Sequence, residues 1–178
     1  TPAPVESCRV LELGCGNGST LVAHAFNLPQ ANFVGVDLAA NHIAAAKKSA
    51  AELNLSNVEF HQLDVTEMTA AEFGQFDYIV AHGLYSWVPD FVQAKTLALY
   101  REFLTESGVG YISYNAFPGA HHRQMVQKMM RFHARDTDEP LEKVGKAVSF
   151  LAFLGENATE KEIFAPILQS ELKRHFEH

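Results

Sequence analysis

The glycine-rich stretch Arg9–Ser19, RVLELGCGNGS, limits the possible folds of this chain more than any other segment. A short apolar run that contains Glu12 leads into Gly14, Gly16 and Gly18, and a helical pattern follows directly. This order predicts a strand, a tight loop and a helix N-terminus whose backbone N–H groups can hold a polar or anionic ligand. The dinucleotide-binding fingerprint has the spacing G-x-G-x-x-G, whereas the glycines here follow G-x-G-x-G.

Strand-like runs alternate with helical patterns along most of the chain. The predicted strands are Arg9–Leu13, Asn32–Val36, Val58–Gln62, Phe76–Ala81 and Val109–Asn115. Such alternation predicts an α/β fold, a Rossmann-like doubly wound parallel sheet with helices on both faces. Right-handed crossovers favour the strand order 3-2-1-4-5, with a binding crevice at the carboxyl ends of the strands. No pattern for a sixth or a seventh strand is evident.

An acidic residue closes the second predicted strand. Asp37 lies about 20 residues beyond the glycine loop, a spacing at which a carboxylate accepts hydrogen bonds from the hydroxyls of a nucleoside ribose. The other interpretation is that Asp37 is the N-cap or a first-turn acid of the helix predicted at Ala40–Leu53. The glycine loop upstream favours the ribose contact.

Two motifs resemble those of the class I S-adenosylmethionine (SAM) methyltransferases. Glu12–Gly18 resembles their motif I, and Phe76–Val80, FDYIV, resembles the signature of their fourth strand. The resemblance implies SAM as the cofactor and implies that a common set of residues binds it. The implied cofactor-binding residues are Glu12, Gly14, Cys15, Gly16, Gly18, Asp37, Leu38, Asp64, Val65 and His82.

Within that set, three residues have roles that only the resemblance supplies. Asp64 accepts from the adenine amino group, the backbone N–H of Val65 reaches a ring nitrogen, and His82 lies beside the methionine part of SAM. The other interpretation of Asp64 is an ordinary turn residue at the end of a strand. Cys15 is expected to be a small residue that fits the loop.

Two aromatic segments are expected to border the transferred methyl group. Tyr85–Pro89, YSWVP, follows the fourth strand, and Tyr114–Gly119, YNAFPG, follows the fifth. Their rings can hold a cationic or apolar amine; alternatively, Trp87 and Phe117 close the apolar end of the sheet. The sequence HGLY stands where methyltransferases of adenine N6 or glutamine carry an N-P-P-Y-like motif, which disfavours those substrates.

The segments HGLYSWVP and YISYNAFPG resemble one bacterial branch of the family, in which a class I core precedes a helical methyltransferase regulatory domain. That branch includes protein-lysine methyltransferases of outer-membrane proteins. The resemblance implies methyl transfer from SAM to an acceptor such as a protein lysine amine, with Tyr85, Trp87 and Asn115 as candidate catalytic residues. The alternatives are a methyltransferase of small molecules and a SAM-binding regulatory or interaction domain without turnover.

The C-terminal third carries helical patterns only. We expect a SAM-binding core over residues 1–118 and a helical extension over residues 119–178 that serves as a lid or a docking segment. A further domain beyond His178 is a candidate partner, besides the methyl acceptor.

Charge and composition exclude several other classes of function. The net charge of −7 disfavours a nucleic-acid partner, and no apolar stretch approaches the length of a membrane span. Cys8 and Cys15 flank the first strand and are expected to be reduced thiols, which favours a cytoplasmic protein. His121, His122 and His133 lack companions at ligand spacing, so no metal site is predicted.

Overall fold

The structure, a computed structural model, describes residues 1–159 and 164–176. The chain forms two compact units, one covering Thr1–Tyr114 and the other beginning at Asn115. The strands are β1 Arg9–Leu13, β2 Asn32–Asp37, β3 Val58–Gln62, β4 Phe76–Ala81 and β5 Leu104–Ile112. The α-helices are α1 Ser19–Asn27, α2 Ala40–Glu52, α3 Ala70–Phe73, α4 Asp90–Phe103, α5 His121–His133, α6 Pro140–Asn157 and α7 Ala165–Phe176.

The first unit is built on a parallel sheet in the order β3-β2-β1-β4-β5, as predicted. β1 lies at the centre, where Glu12 pairs with Gly35 on one side and with Val80 on the other. Because the strands are parallel, the segments that follow them meet at one edge of the sheet. Within residues 1–159 and 164–176, no further strand joins these five.

Side chains along β1 point alternately to the two faces of the sheet, and each face is covered by an apolar layer. Leu11 and Leu13 belong to the layer that contains Phe76 and Phe103, whereas Val10 belongs to the layer formed with α1 and α2. Both faces of the inner strands are therefore covered, which explains why β1, β2 and β4 are rich in apolar residues on both faces. Burial of apolar surface, worth about 25 cal/mol per Å², is the main favourable contribution that such layers make to the stability of a sheet.

The fifth strand differs from the prediction of Val109–Asn115. Helix α4 ends at Phe103, and β5 begins already at Leu104, which pairs with Phe76. The strand is irregular: Phe76 and Tyr78 are two residues apart, whereas their partners Leu104 and Val109 are five apart. The extra residues interrupt the period-two pattern, so the sequence alone hides the beginning of this strand.

Two smaller corrections concern element ends. β2 extends to Asp37 rather than Val36, and α2 ends at Glu52 rather than Leu53. The longer β2 follows from its pairing, since Asp37 still pairs with Gln62 of β3.

The second unit is helical. α5, α6 and α7 pack around a small apolar cluster centred on Val126, Leu151 and Leu168. Among the described residues, no helix of either unit is long and apolar enough to cross a membrane.

Candidate functional site

The glycine loop between β1 and α1 has a backbone that favours glycine at all three positions. Gly14, Gly16 and Gly18 have φ values of 72°, 54° and 71°, in the left-handed region that other L-residues rarely adopt. The N–H groups of Gly14 and Cys15 both donate to the carbonyl of Val36, at 2.8 and 3.1 Å. The loop is thereby held against the end of β2.

The three glycines differ in what surrounds them. A Cβ at Gly18 would lie 2.6 Å from Cε1 of Phe60, and one at Gly14 would lie 3.1 Å from Cδ1 of Leu84. A Cβ at Gly16 would meet nothing within 4 Å. Gly14 and Gly18 are thus close-packing positions, whereas Gly16 faces open space into which a ligand can approach the backbone.

Asp37 connects the loop to the next helix. Its Oδ2 accepts from the N–H of Gly16 at 2.8 Å, and its Oδ1 accepts from the N–H of Ala39 at 2.8 Å. Ala39, not Asp37, is the N-cap of α2. Each carboxylate oxygen has two lone pairs, so Asp37 can hold the loop and still accept from two hydroxyl groups of a ligand.

Glu12 is buried at the end of β1, with 6% of its surface exposed. Its Oε2 has no hydrogen-bond partner among the described residues. Burial raises the pKa of Glu12 to about 7. A buried carboxyl group without a partner is stable when it is protonated or when a cation lies beside it. SAM carries two cationic groups, its sulfonium and its ammonium.

Cys15 lies in the same environment. Burial raises the pKa of its thiol to about 12, and the charges of Asp37 and Glu12 raise it further. The thiol is therefore protonated at neutral pH and is no nucleophile, which agrees with its expected role as a small loop residue.

At the end of β3, Asp64 caps a short 3₁₀ turn, Val65–Glu67. Its Oδ1 accepts from both the N–H and the hydroxyl of Thr66 at 2.8 Å, and these bonds lower the pKa of Asp64. The Val65 side chain is buried, whereas Leu38, just after β2, is exposed. Both hydrogen bonds fall on Oδ1, so Oδ2 of Asp64 is the oxygen suited to a ligand.

The loop after β4 is fixed from two sides. The N–H of Gly83, a residue with φ of 74°, donates to Oγ of Ser113 at 2.8 Å. The His82 ring stacks on Tyr111 with 6.1 Å between ring centroids, and Leu84 packs on Gly14. The sequence did not point to Leu84 and Phe60, which contact the glycine loop, or to Ser113, which holds the loop after β4, because nothing in their residue types marks such contacts.

Tyr85 and Trp87, two of the candidate catalytic residues, form a short 3₁₀ turn directly after that loop. Tyr85 is partly buried and 56% of the Trp87 surface is exposed. The third, Asn115, is the first residue of the second unit, and its catalytic role stays a prediction. In the described ranges, no group of three His, Cys, Asp or Glu side chains is arranged to hold a metal ion.

Comparisons with known proteins agree with this arrangement. A family model described as a methyltransferase domain matches residues 4–171. Two uncharacterized proteins of Rickettsia prowazekii (strain Madrid E) are 36% identical over 168 residues and 34% identical over 175, covering 94% and 97% of this chain. The solved structure of PKMT2 from Rickettsia typhi in complex with AdoHcy superposes with a TM-score of 0.80 at 33% identity, over 97% of this chain.

The chain is shorter than these relatives. It spans 30% of the first Rickettsia prowazekii protein, 69% of the second and 33% of PKMT2.

Proposed function

The chain belongs to the methyltransferase domain family, and from that premise we propose that it transfers a methyl group from SAM to the side-chain amine of a protein lysine. The observation that carries the proposal is the edge of the sheet at which the glycine loop, Asp37 and the unpartnered Glu12 meet. The similarity to PKMT2, solved with AdoHcy, supports the same cofactor class.

The residues at this edge fit SAM group by group. The open space at Gly16 admits a ligand to the loop backbone, and Asp37 suits the ribose hydroxyls. Asp64 offers an acceptor for the adenine amino group. Glu12 supplies the negative charge that a cationic ligand needs in a buried place.

When bound, SAM would supply a methyl group bonded to a positively charged sulfur, and that sulfur is a good leaving group when a neutral amine attacks the methyl carbon. The chain's contribution is to orient the acceptor and to favour its neutral form, since a lysine ammonium has no free electron pair. The exposed Trp87 ring can hold the ammonium as it arrives, and the Tyr85 hydroxyl can orient the amine. None of the described side chains is assigned as a general base, and the proton passes to water.

A lysine acceptor is favoured over a small molecule by the branch that the two aromatic segments resemble. The same branch contains protein-lysine methyltransferases, and the HGLY sequence after β4 disfavours the planar amides and adenine amines. An active enzyme is favoured over a regulatory SAM-binding domain because Tyr85 and Trp87 follow β4, and so leave the sheet at the same edge as Asp37.

The first test is binding, measured by isothermal titration calorimetry of SAM into the chain. The second is transfer, measured with methyl-labelled SAM and an unfractionated bacterial lysate, which contains outer-membrane proteins and small molecules, followed by mass spectrometry for methylated lysine. Label in small molecules only would contradict the lysine acceptor. SAM binding without any transfer would instead favour the regulatory alternative.

Variants assign the residues. We expect Tyr85→Phe and Trp87→Ala to lower turnover at least tenfold without changing SAM affinity. Phe91→Ala is the matched control, since Phe91 is an exposed aromatic residue in the first turn of α4. Turnover that is unchanged in both Tyr85→Phe and Trp87→Ala, with SAM still bound, would remove these two residues from the mechanism.

A further inference from the structure

The carboxyl group of Glu12 is buried, and no described side chain neutralises its charge. Glu12 lies between Gly35 and Val80 in the centre of the sheet, and its side chain points to the same face as Val10. Directly above Gly35 sits the Cys15 thiol, whose sulfur would be 2.9 Å from a Cβ at that glycine. In the part of the chain that the structure describes, Glu12 makes no ion pair and Oε2 has no hydrogen bond.

A charge in such a place is costly, because the carboxyl is removed from water and the neighbouring Cys15 thiol is neutral and offers no positive charge. The group therefore gains most from either a proton or an external cation.

Resting on the proposed function, we propose that Glu12 is a proton-linked counter-ion: it carries a proton in the ligand-free chain and releases that proton when the cationic cofactor binds. No covalent step is involved. A proton leaves for the buffer as the positive charge of the ligand takes its place beside the carboxylate, so the charge balance of the buried site is unchanged.

Other groups around β1 also titrate or carry charge, and they must be separated from Glu12. They are Cys15 on the loop, His24 on α1, Asp37 at the end of β2, His42 on α2, and Tyr78 and His82 on or after β4. Of these, His42 faces Asp37, with 3.8 Å between Nδ1 and Oδ1. A substitution at Glu12 leaves all of them in place, so the difference between wild type and variant isolates Glu12.

The direction of the pH effect follows from the ligand-free state. Burial raises the pKa of Glu12 to about 7, and a cation beside the carboxylate returns it toward its ordinary value. Below neutral pH the ligand must displace a proton. SAM is therefore expected to bind about tenfold more weakly at pH 6 than at pH 8, and to release about one proton at pH 6 and about half a proton at pH 7.

The experiment is calorimetry of SAM binding in pairs of buffers with different ionisation enthalpies, at pH 6, 7 and 8. The slope of observed enthalpy against buffer enthalpy counts the protons released, and it needs no turnover. Wild type is expected to show the release that rises as the pH falls. A wild-type proton count near zero at pH 6 would overturn the inference, even if no variant can be purified.

Glu12→Gln keeps the shape of the side chain and removes its titration. We expect SAM binding to this variant to release about one proton fewer than binding to wild type at pH 6. We also expect its affinity for SAM to lack the tenfold difference between pH 6 and pH 8. His61→Gln is the control, because it removes an imidazole from β3, where His61 pairs with Glu59 on its own strand. Equal proton counts in wild type and Glu12→Gln would refute the inference while leaving the proposed function intact, whereas no SAM binding by wild type at any pH would refute the proposed function itself.

Discussion

At the scale of single residues, the glycine loop separates a packing role from a ligand role. Gly18→Ala places a Cβ 2.6 Å from Phe60 and 2.7 Å from Ala46, at a φ of 71°. Strain and overpacking together are expected to lower the free energy of unfolding by about 2 to 4 kcal/mol. Urea denaturation followed by circular dichroism measures this loss.

Gly16→Ala is the matched substitution. Its φ of 54° costs about 1 kcal/mol in an L-residue, but its Cβ meets no neighbouring atom. The main effect is expected on SAM, whose affinity falls at least tenfold because the methyl group fills the open space over the loop. If both alanine variants unfolded at the same urea concentration, the packing of Phe60 on Gly18 would not be the reason for a glycine there.

The buried carboxyl of Glu12 is also expected to affect the stability of the ligand-free chain. Its pKa of about 7 in the folded state lies above the unfolded value of 4.5, so the folded state holds the extra proton between these pH values. Wild type therefore loses stability as the pH rises from about 4.5 to 7. Glu12→Gln lacks this loss and is expected to be more stable than wild type by on the order of 3 kcal/mol at pH 8.

The measurement is the urea midpoint of both proteins at pH 5 and at pH 8. The two midpoints should lie close together at pH 5 and separate at pH 8. A variant that is less stable than wild type at pH 8 would mean that Glu12 has a stabilising partner in the folded chain.

The sequence predicts some residues of the candidate site and misses others. Glycine spacing and the acids at strand ends are local signals, and the structure places the glycines, Asp37 and Glu12 together at one edge. The contacts of Leu84 with Gly14 and of Phe60 with Gly18 join segments far apart in the chain. Residue type carries no mark of such a contact, so only the folded sheet reveals it.

At the scale of elements, α4 and β5 are fastened by one aromatic side chain. The Tyr100 hydroxyl donates to the carbonyl of Tyr111 at 2.8 Å, and the Tyr100 ring packs directly on Gly110, where a Cβ would not fit. Burial raises the pKa of Tyr100, so the hydroxyl stays a donor. Tyr100→Phe is expected to lower the free energy of unfolding by about 1 kcal/mol, since it leaves a carbonyl unpaired.

Tyr111→Phe is the control for that substitution. It removes a hydroxyl from a residue that is 52% exposed and leaves the carbonyl that Tyr100 binds. Thermal unfolding of both variants should show a lower midpoint for Tyr100→Phe only. Equal midpoints would mean that ring packing on Gly110, not the hydrogen bond, fastens the two elements.

The elements also explain which boundaries the sequence predicts. β1, β3 and β4 are short runs bounded by turn residues, and their predicted limits match the structure. β5 is different because its first pair, Leu104 with Phe76, is separated from the regular ladder by extra residues. A strand that is held by one pair and then bulges has no alternation to detect.

At the scale of the whole molecule, the net charge is confined to one unit. Residues 1–114 contain 12 acidic and five basic side chains, whereas residues 115–178 contain nine of each. The unit that holds every predicted cofactor-binding residue thus carries the entire charge of −7. A cation approaching that unit is attracted over distances comparable to the Debye length, about 10 Å at 0.1 M salt.

The charge predicts how cofactor binding responds to salt. SAM carries a net positive charge and adenosine carries none, although both contain the ribose and the adenine that Asp37 and Asp64 are proposed to bind. Raising NaCl from 0.05 to 0.5 M is expected to weaken SAM binding about threefold to fivefold by screening, and to leave adenosine binding nearly constant. Calorimetry at pH 8, where Glu12 is largely ionised, measures both affinities. A parallel decrease for SAM and adenosine would assign the salt effect to the nucleoside contacts, and the charge of the first unit would then have no part in selecting a cation.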